Sequence, residues 1–147
     1  MNRKTKTDNQ RGGTLVEFSI AATVFLTVMF AVMEFGRALW THNALSDAAR
    51  RGARYAVVNG TGASDAVKNV VVYGNPGGGT KPLVDNLTTD NVQVNYSGFG
   101  LDDGTVQVTI TDYEFEFVIP IVGTTIQMPA YTTTLTGESA GTEPPPL

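Results

Sequence analysis

The side chains that could carry chemistry in this chain are a few carboxylates and one imidazole. Glu114 and Glu116 share one face of a predicted strand and imitate a general acid–base pair, but the same spacing is typical of a solvated sheet face. Asp102 and Asp103 could bind calcium, although Asp-Asp-Gly more often marks a turn. The chain has no Cys and a single His, which excludes thiolate sites and sites that need two imidazoles. We therefore expect no catalytic residue, no metal and no cofactor.

Glu17 is the informative carboxylate, because it lies at the start of the most apolar part of the chain. Residues 15–35 read LVEFSIAATVFLTVMFAVMEF, and residues 18–33 carry no charge. As a helix this stretch would be about 32 Å long, close to the roughly 30 Å hydrocarbon thickness of a bilayer. The sequence predicts a transmembrane helix over residues 13–36, with Glu17 and Glu34 near its two ends. A carboxylate at the hydrocarbon edge is costly unless it reaches water or pairs with a cation.

Two alternatives to a permanent membrane anchor exist for this stretch. A cleavable secretory signal would need a short apolar region and a small-x-small cleavage site, and the stretch runs long without a convincing A-x-A sequence. A buried core helix would need enough apolar protein to surround it on all sides. The remaining chain is too small and too polar for that role.

Charge is unevenly distributed along a chain whose formal net charge is −4. Residues 1–13 are basic, whereas residues from Asn59 onward carry ten acids and two cations, a formal charge of −8. Basic segments beside a transmembrane helix stay in the cytoplasm. We therefore expect a single-pass protein of the cytoplasmic (inner) membrane, with a cytoplasmic N-terminus and an extracytoplasmic C-terminal part. The negative net charge argues against nucleic-acid binding.

Two sequence patterns resemble a known family. Arg11-Gly12-Gly13 ends a basic leader and precedes Glu17 and Phe18, which is similar to the processing site of type IV prepilins and pseudopilins. At the other end of the apolar stretch, Glu34-Phe35-Gly36-Arg37 is followed over residues 44–56 by A-x-x-x-A-A-R-x-G-A-R-Y-A. The combination resembles TadE-like proteins, pseudopilins of the tight-adherence (Flp) pilus system, over about residues 11–58.

The resemblance implies that a prepilin peptidase removes a leader, residues 1–12. The family places the Glu fifth in the mature chain, which puts the cut between Gly12 and Gly13; a cut after Gly13 would make Glu17 fourth. Cleavage leaves a new α-amine one helical turn from Glu17. That amine could pair with Glu17 of the same chain or of a neighbouring subunit, and the resemblance implies the second. Glu17 and Phe18 are then the candidate assembly residues.

The resemblance also implies a role and a set of partners. The chain would be a minor structural subunit or assembly factor of the pilus, or of a related secretion machine, and not an enzyme. Its partners would be the prepilin peptidase, other pseudopilins, the major pilin, the assembly platform and membrane lipid. Two other hypotheses stay open: a membrane-anchored extracytoplasmic binding module unrelated to pili, with its leader uncut, and an enzyme.

The predicted fold is α+β and pilin-like: a long N-terminal helix packed on a small antiparallel sheet. Apolar spacing predicts an extracytoplasmic amphipathic helix over residues 37–58 and a β-rich domain over residues 59–137, followed by a disordered Pro-rich tail, residues 138–147. The candidate helix-packing residues are Glu34, Phe35, Gly36, Arg37, Ala48, Ala49, Gly52 and Tyr55.

Local patterns predict the smaller elements. Ser64 would cap a short helix that reaches Tyr73, with a strand over residues 70–73 as the alternative. Strands are expected at residues 91–96, 105–111 and 113–119, and at 125–135 with an interruption at Pro129. The Asp-Asp-Gly turn before residue 105 predicts that the first two of these strands form a hairpin-like pair. Asp47 and Arg51 are spaced to pair along the helix. We also expect Arg50, Arg51 and Arg54 to pair with the acidic C-terminal part.

Overall fold

The computed structural model describes residues 8–98, 104–118 and 125–137. The chain divides after Arg37 into two units, which we call the proximal and the distal unit. Helix α1, Asp8–Asn59, contains residues of both units, and a short helix, α2, covers Ser64–Tyr73. Five strands follow: β1 Val92–Ser97, β2 Thr105–Ile110, β3 Glu114–Glu116, β4 Thr125–Gln127 and β5 Tyr131–Thr136. The α+β class with a long N-terminal apolar helix is confirmed.

The strands of the distal unit form two antiparallel sheets. In the first, β2 lies between β1 and β5, with Val94 opposite Val108 and Val106 opposite Leu135. In the second, β3 pairs with β4. The expectation of one sheet is wrong, since Asp112 adopts a left-handed backbone with φ 56° between β2 and β3 and redirects the chain there. The pairing of β1 with β2 and the interruption around Pro129 are confirmed.

Small residues of α1 bring its backbone close to the rest of the distal unit. Ala48, Ala49 and Ala53 are buried in a core that also contains valines of α2 and β2. A Cβ atom added at Gly52 would collide with Val71 of α2 and would lie 3.4 Å from Val108 of β2. The absence of a side chain at Gly52 therefore permits this close approach.

Helix α2 is held by its valines and ends at a glycine. Val67, Val70 and Val71 are buried at helical spacing, so the alternative of a strand over residues 70–73 is wrong. Gly74 has φ 73° and its N–H donates to the Val70 carbonyl at 3.0 Å, a common way for a helix to end. The prediction that Ser64 caps this helix is also wrong: Ser64 is its first residue, and no side-chain cap is formed.

Two side-chain contacts join segments that are distant in sequence. The Asn91 amide donates to the carbonyls of Thr111 and Asp112, at 3.1 and 3.0 Å, and ties the start of β1 to the end of β2. His42 Nδ1 lies 2.8 Å from the Tyr131 hydroxyl, with the two rings edge to face. Burial raises the pKa of the Tyr131 phenol above its ordinary value of 10.0. His42 thus fixes the first residue of β5 against α1.

Three predicted features lie outside the described residues. They are residues 1–7 of the leader, the Asp102-Asp103 turn with its candidate calcium ligands, and the tail over residues 138–147.

Replacing Gly52 with Ala should destabilise the distal unit by about 1–3 kcal/mol, because a methyl group in a filled core forces its neighbours apart. Gly36, in the same helix, is the matched control, since nothing lies within 4 Å of a Cβ added there. Gly36→Ala should be neutral or should stabilise the helix by up to about 1 kcal/mol. Thermal unfolding of the full chain in detergent measures both effects. Equal melting temperatures for the two variants would contradict the close approach at Gly52.

Candidate membrane-spanning and assembly site

The proximal part of α1 presents an apolar surface that the described residues leave uncovered. Among the described residues, one stretch of helix is long and apolar enough to cross a membrane, and it is the part of α1 over Gly12–Asn59. None of its most apolar 18 residues is buried. Large apolar side chains are exposed along this part, among them Leu15, Phe18, Phe25, Val32 and Phe35. Such a surface is stable in lipid and costly in water. It fits a single-pass membrane protein.

The hydroxyl groups within this apolar part bond to their own helix. Ser19 donates to the Leu15 carbonyl, Thr23 to Ser19 and Thr27 to Thr23, each at 2.8 Å. Because an unsatisfied polar group is costly in hydrocarbon, these bonds let the hydroxyls lie in lipid. The four-residue spacing of Ser19, Thr23 and Thr27 in the sequence indicates this series, which was not among the predicted features.

A shallow groove runs along the same part of the helix. Its lining residues are Leu15, Val16, Ser19, Ile20, Thr23 and Val24. Ser19 and Thr23 are shorter than their apolar neighbours and leave a depression between them. Short side chains of this kind let a second helix approach closely within a membrane.

Glu34 and Arg37 form an ion pair within α1. Arg37 Nε and Nη2 lie 3.2 and 3.1 Å from the same oxygen of Glu34, whose side chain is only 11% exposed. The spacing of three residues places them on neighbouring turns. Phe35 is exposed and Gly36 has open space around it. The residues of the E-F-G-R pattern were predicted only to pack helices. The pattern also contains an acid, Glu34, that is neutralised by an arginine of the same helix.

Glu17 differs from Glu34 in having no cationic partner among the residues that the structure describes. Its side chain is exposed, and no ion pair or hydrogen bond joins it to a residue in the described ranges. Phe18 beside it is exposed as well. Glu17 and Glu34 are about 26 Å apart along the helix, which is close to the hydrocarbon thickness of a bilayer. The two acids therefore mark the ends of the apolar part, and of the two it is Glu34 that has an ion-pair partner in the described part of the chain.

Gly12 and Gly13 lie within α1, five and four residues before Glu17. Both are exposed, and a Cβ added at either would meet nothing within 4 Å. Glycine lowers helix stability by about 1 kcal/mol relative to alanine. Two adjacent glycines without packing contacts make this turn of α1 easy to open.

The candidate residues on the distal part of α1 divide between two faces. Ala48, Ala49 and Gly52 are buried, and Tyr55 is half-buried against the core. Arg50, Arg51 and Arg54 lie on the exposed side of the helix.

The expected pairing of these arginines is wrong for the residues that the structure describes. Asp47 pairs with Arg50 at 3.7 Å rather than with Arg51. No ion pair joins Arg51 or Arg54 to an acid within these residues. The physical reason is that the rest of the distal unit packs on the opposite, alanine-rich face of α1.

Part of helix α1 matches the model of a known protein family. The model of the TadE-like protein family matches residues 12–54, which include the glycine pair, Glu17 and the Glu34–Arg37 pair. No curated protein and no solved structure matches the chain. Over residues 12–54 this chain is therefore similar to the TadE-like protein family, which confirms the resemblance for that segment.

Proposed function

We propose that this chain is a pseudopilin of a tight-adherence pilus machine, a minor subunit or assembly factor that performs no chemistry itself. The observation that carries the proposal is the uncompensated Glu17 on an exposed apolar helix whose other acid is paired. An ionised carboxylate at the edge of hydrocarbon is stabilised when a cation and further hydrogen bonds reach it. A neighbouring subunit is the proposed source of that cation. The TadE-like match supports the same role.

Processing at the glycine pair would create the cation. A protease needs extended backbone, and the unpacked turn at Gly12 and Gly13 opens at low cost. A cut between the two leaves an α-amine at Gly13, four residues from Glu17. When that amine belongs to the adjacent subunit, the pair aligns the two helices along their axes. The register of packed subunits would then depend on a single charge pair.

The proposed partners follow from this role. The prepilin peptidase acts on the leader, and other pseudopilins, the major pilin and the assembly platform contact the helix or the distal unit. The proposed orientation is a cytoplasmic N-terminus in the inner membrane, since the basic residues precede the apolar part and the acidic excess follows it.

In cells with an active prepilin peptidase, the protein should begin at Gly13, as found by N-terminal sequencing and intact mass. Gly12→Val should block the cut after Gly12, because a branched side chain at the scissile position does not fit where glycine does. Gly13→Val should leave cutting largely intact, and it is the matched control with equally open surroundings. The reverse pattern would place the cut after Gly13. A mature protein that retains Met1 would favour the alternative of an anchored binding module.

Glu17→Gln should leave membrane insertion intact and reduce co-purification with other pseudopilins about tenfold or more, which corresponds to at least about 1.4 kcal/mol. The reason is that the amide keeps the shape of the side chain but cannot neutralise an α-amine. Ser19→Ala is the control, because its hydroxyl already bonds to its own helix. Membrane fractionation, pull-down and pilus counts measure the outcome. Normal piliation by Glu17→Gln would refute the pairing.

A further inference from the structure

The exposed side of α1 in the distal unit carries cations whose partners the described chain does not supply. Arg51 and Arg54 form no ion pair with a described acid, and Arg50 contacts only Asp47, its neighbour on the helix. The three arginines are exposed and lie within one turn of each other. We call Arg50, Arg51 and Arg54 the arginine ridge.

A groove lies beside the arginine ridge, with a volume of about 420 Å³. It is lined by Trp40, Asn43, Ala44, Asp47 and Arg51 of α1 and by Leu83 and Val84 of the loop after α2, and Asp47 is the acid that pairs with Arg50. Trp40 is 60% exposed and Leu83 is 48% exposed. Tryptophan and arginine dominate the energetic centres of protein interfaces, where an apolar floor adjoins a charged rim. The composition of the groove therefore fits a protein partner that brings an apolar side chain next to acids.

The second sheet of the same unit presents such a surface. Glu114 and Glu116 of β3 are exposed on one face, opposite Gln127 and Thr125 of β4. Val118 follows two residues later and is 73% exposed. Alternate residues of a strand are about 7 Å apart, and helix residues three or four apart are separated by about 5–6 Å. Two carboxylates about 7 Å apart on the strand can therefore face two guanidinium groups about 5–6 Å apart on the helix.

We propose that the arginine ridge and groove of one copy bind the acidic β3 face of a second copy. In the described ranges no ion pair joins the two surfaces of one copy, and their opposite charges favour a contact between copies. Because two different patches meet, the contact is heterologous and repeats in one direction. The inference rests on the proposed function, to which it adds a contact outside the membrane helix.

An anionic membrane surface is the competing partner for a cationic ridge. The chain from Asn59 onward has a formal charge of −8, and anionic headgroups repel such a domain. A lipid surface would also leave the spacing of the acids on β3 without a counterpart. Both observations favour the second copy.

The chain contains no Cys, so introduced thiols can report the contact without background. Two differently tagged full-length copies, one with Arg54→Cys and the other with Glu114→Cys, are expressed together and oxidised in membranes. We expect a disulfide-linked heterodimer. Thr61→Cys in place of Glu114→Cys is the control, because Thr61 is exposed but outside the acidic face. Equal yields with Glu114→Cys and Thr61→Cys would overturn the proposal.

Charge reversal tests whether the contact is electrostatic. Arg51→Glu in the Arg54→Cys copy should lower the heterodimer yield about fivefold, the effect of one favourable exposed ion pair. Glu116→Arg in the Glu114→Cys copy should restore it. If Arg51→Glu leaves the heterodimer yield unchanged, the contact does not depend on the charge of the ridge and the proposal is wrong. If a thiol reagent also labels Arg54→Cys less in proteoliposomes that contain phosphatidylserine than in phosphatidylcholine alone, the ridge binds lipid instead.

The same samples separate this inference from the proposed function. Neither surface includes the leader, so the heterodimer should form equally with and without the prepilin peptidase. N-terminal sequencing of each sample reports processing independently. An uncut leader with a normal heterodimer would count against the pilus role alone, whereas a cut leader with background cross-linking would count against the ridge contact alone.

Discussion

Helix α1 has to be stable in two environments that make opposite demands. In its proximal part every polar group must be satisfied by the helix itself, because hydrocarbon offers no hydrogen bonds. The Ser19, Thr23 and Thr27 hydroxyls meet this demand through carbonyls one turn earlier. In the distal part the helix packs on protein, and small residues such as Gly52 let its neighbours approach. The composition of one continuous helix therefore changes from large exposed apolar residues to small buried ones.

Charge on α1 follows the same division. Glu34 is neutralised by Arg37, which removes the cost of an acid near the end of the apolar part. Glu17, Arg51 and Arg54 form no ion pair within the described chain. The difference matters because a charge in water costs little, whereas the same charge at an interface that excludes water needs a partner. The charges of α1 that pair within the described chain stabilise its own fold. The charges that do not are available to other molecules.

Much of this fold could be predicted from the sequence, because its elements have strong local patterns. The apolar run and its helical continuation predicted α1, and alternation predicted the pairing of β1 with β2. The contact of His42 with Tyr131 could not be predicted, since it joins residues 89 positions apart. The separate β3–β4 sheet depends on one left-handed residue, Asp112, and aspartate adopts that conformation only in some contexts. Tertiary contacts decided these features, and no local pattern encodes them.

The arginines show where counting charges along a sequence fails. The ten acids after Asn59 and the three arginines of the ridge predict attraction between the two segments. An ion pair, however, forms only when both groups lie on surfaces that face each other. The alanine-rich face of α1 packs against the core of the distal unit, so the arginine ridge is left on the exposed side of the helix. Screening by water and salt makes this separation inexpensive for the isolated chain. A fold can therefore keep opposite charges apart at little cost to its own stability, and their attraction is then available for assembly.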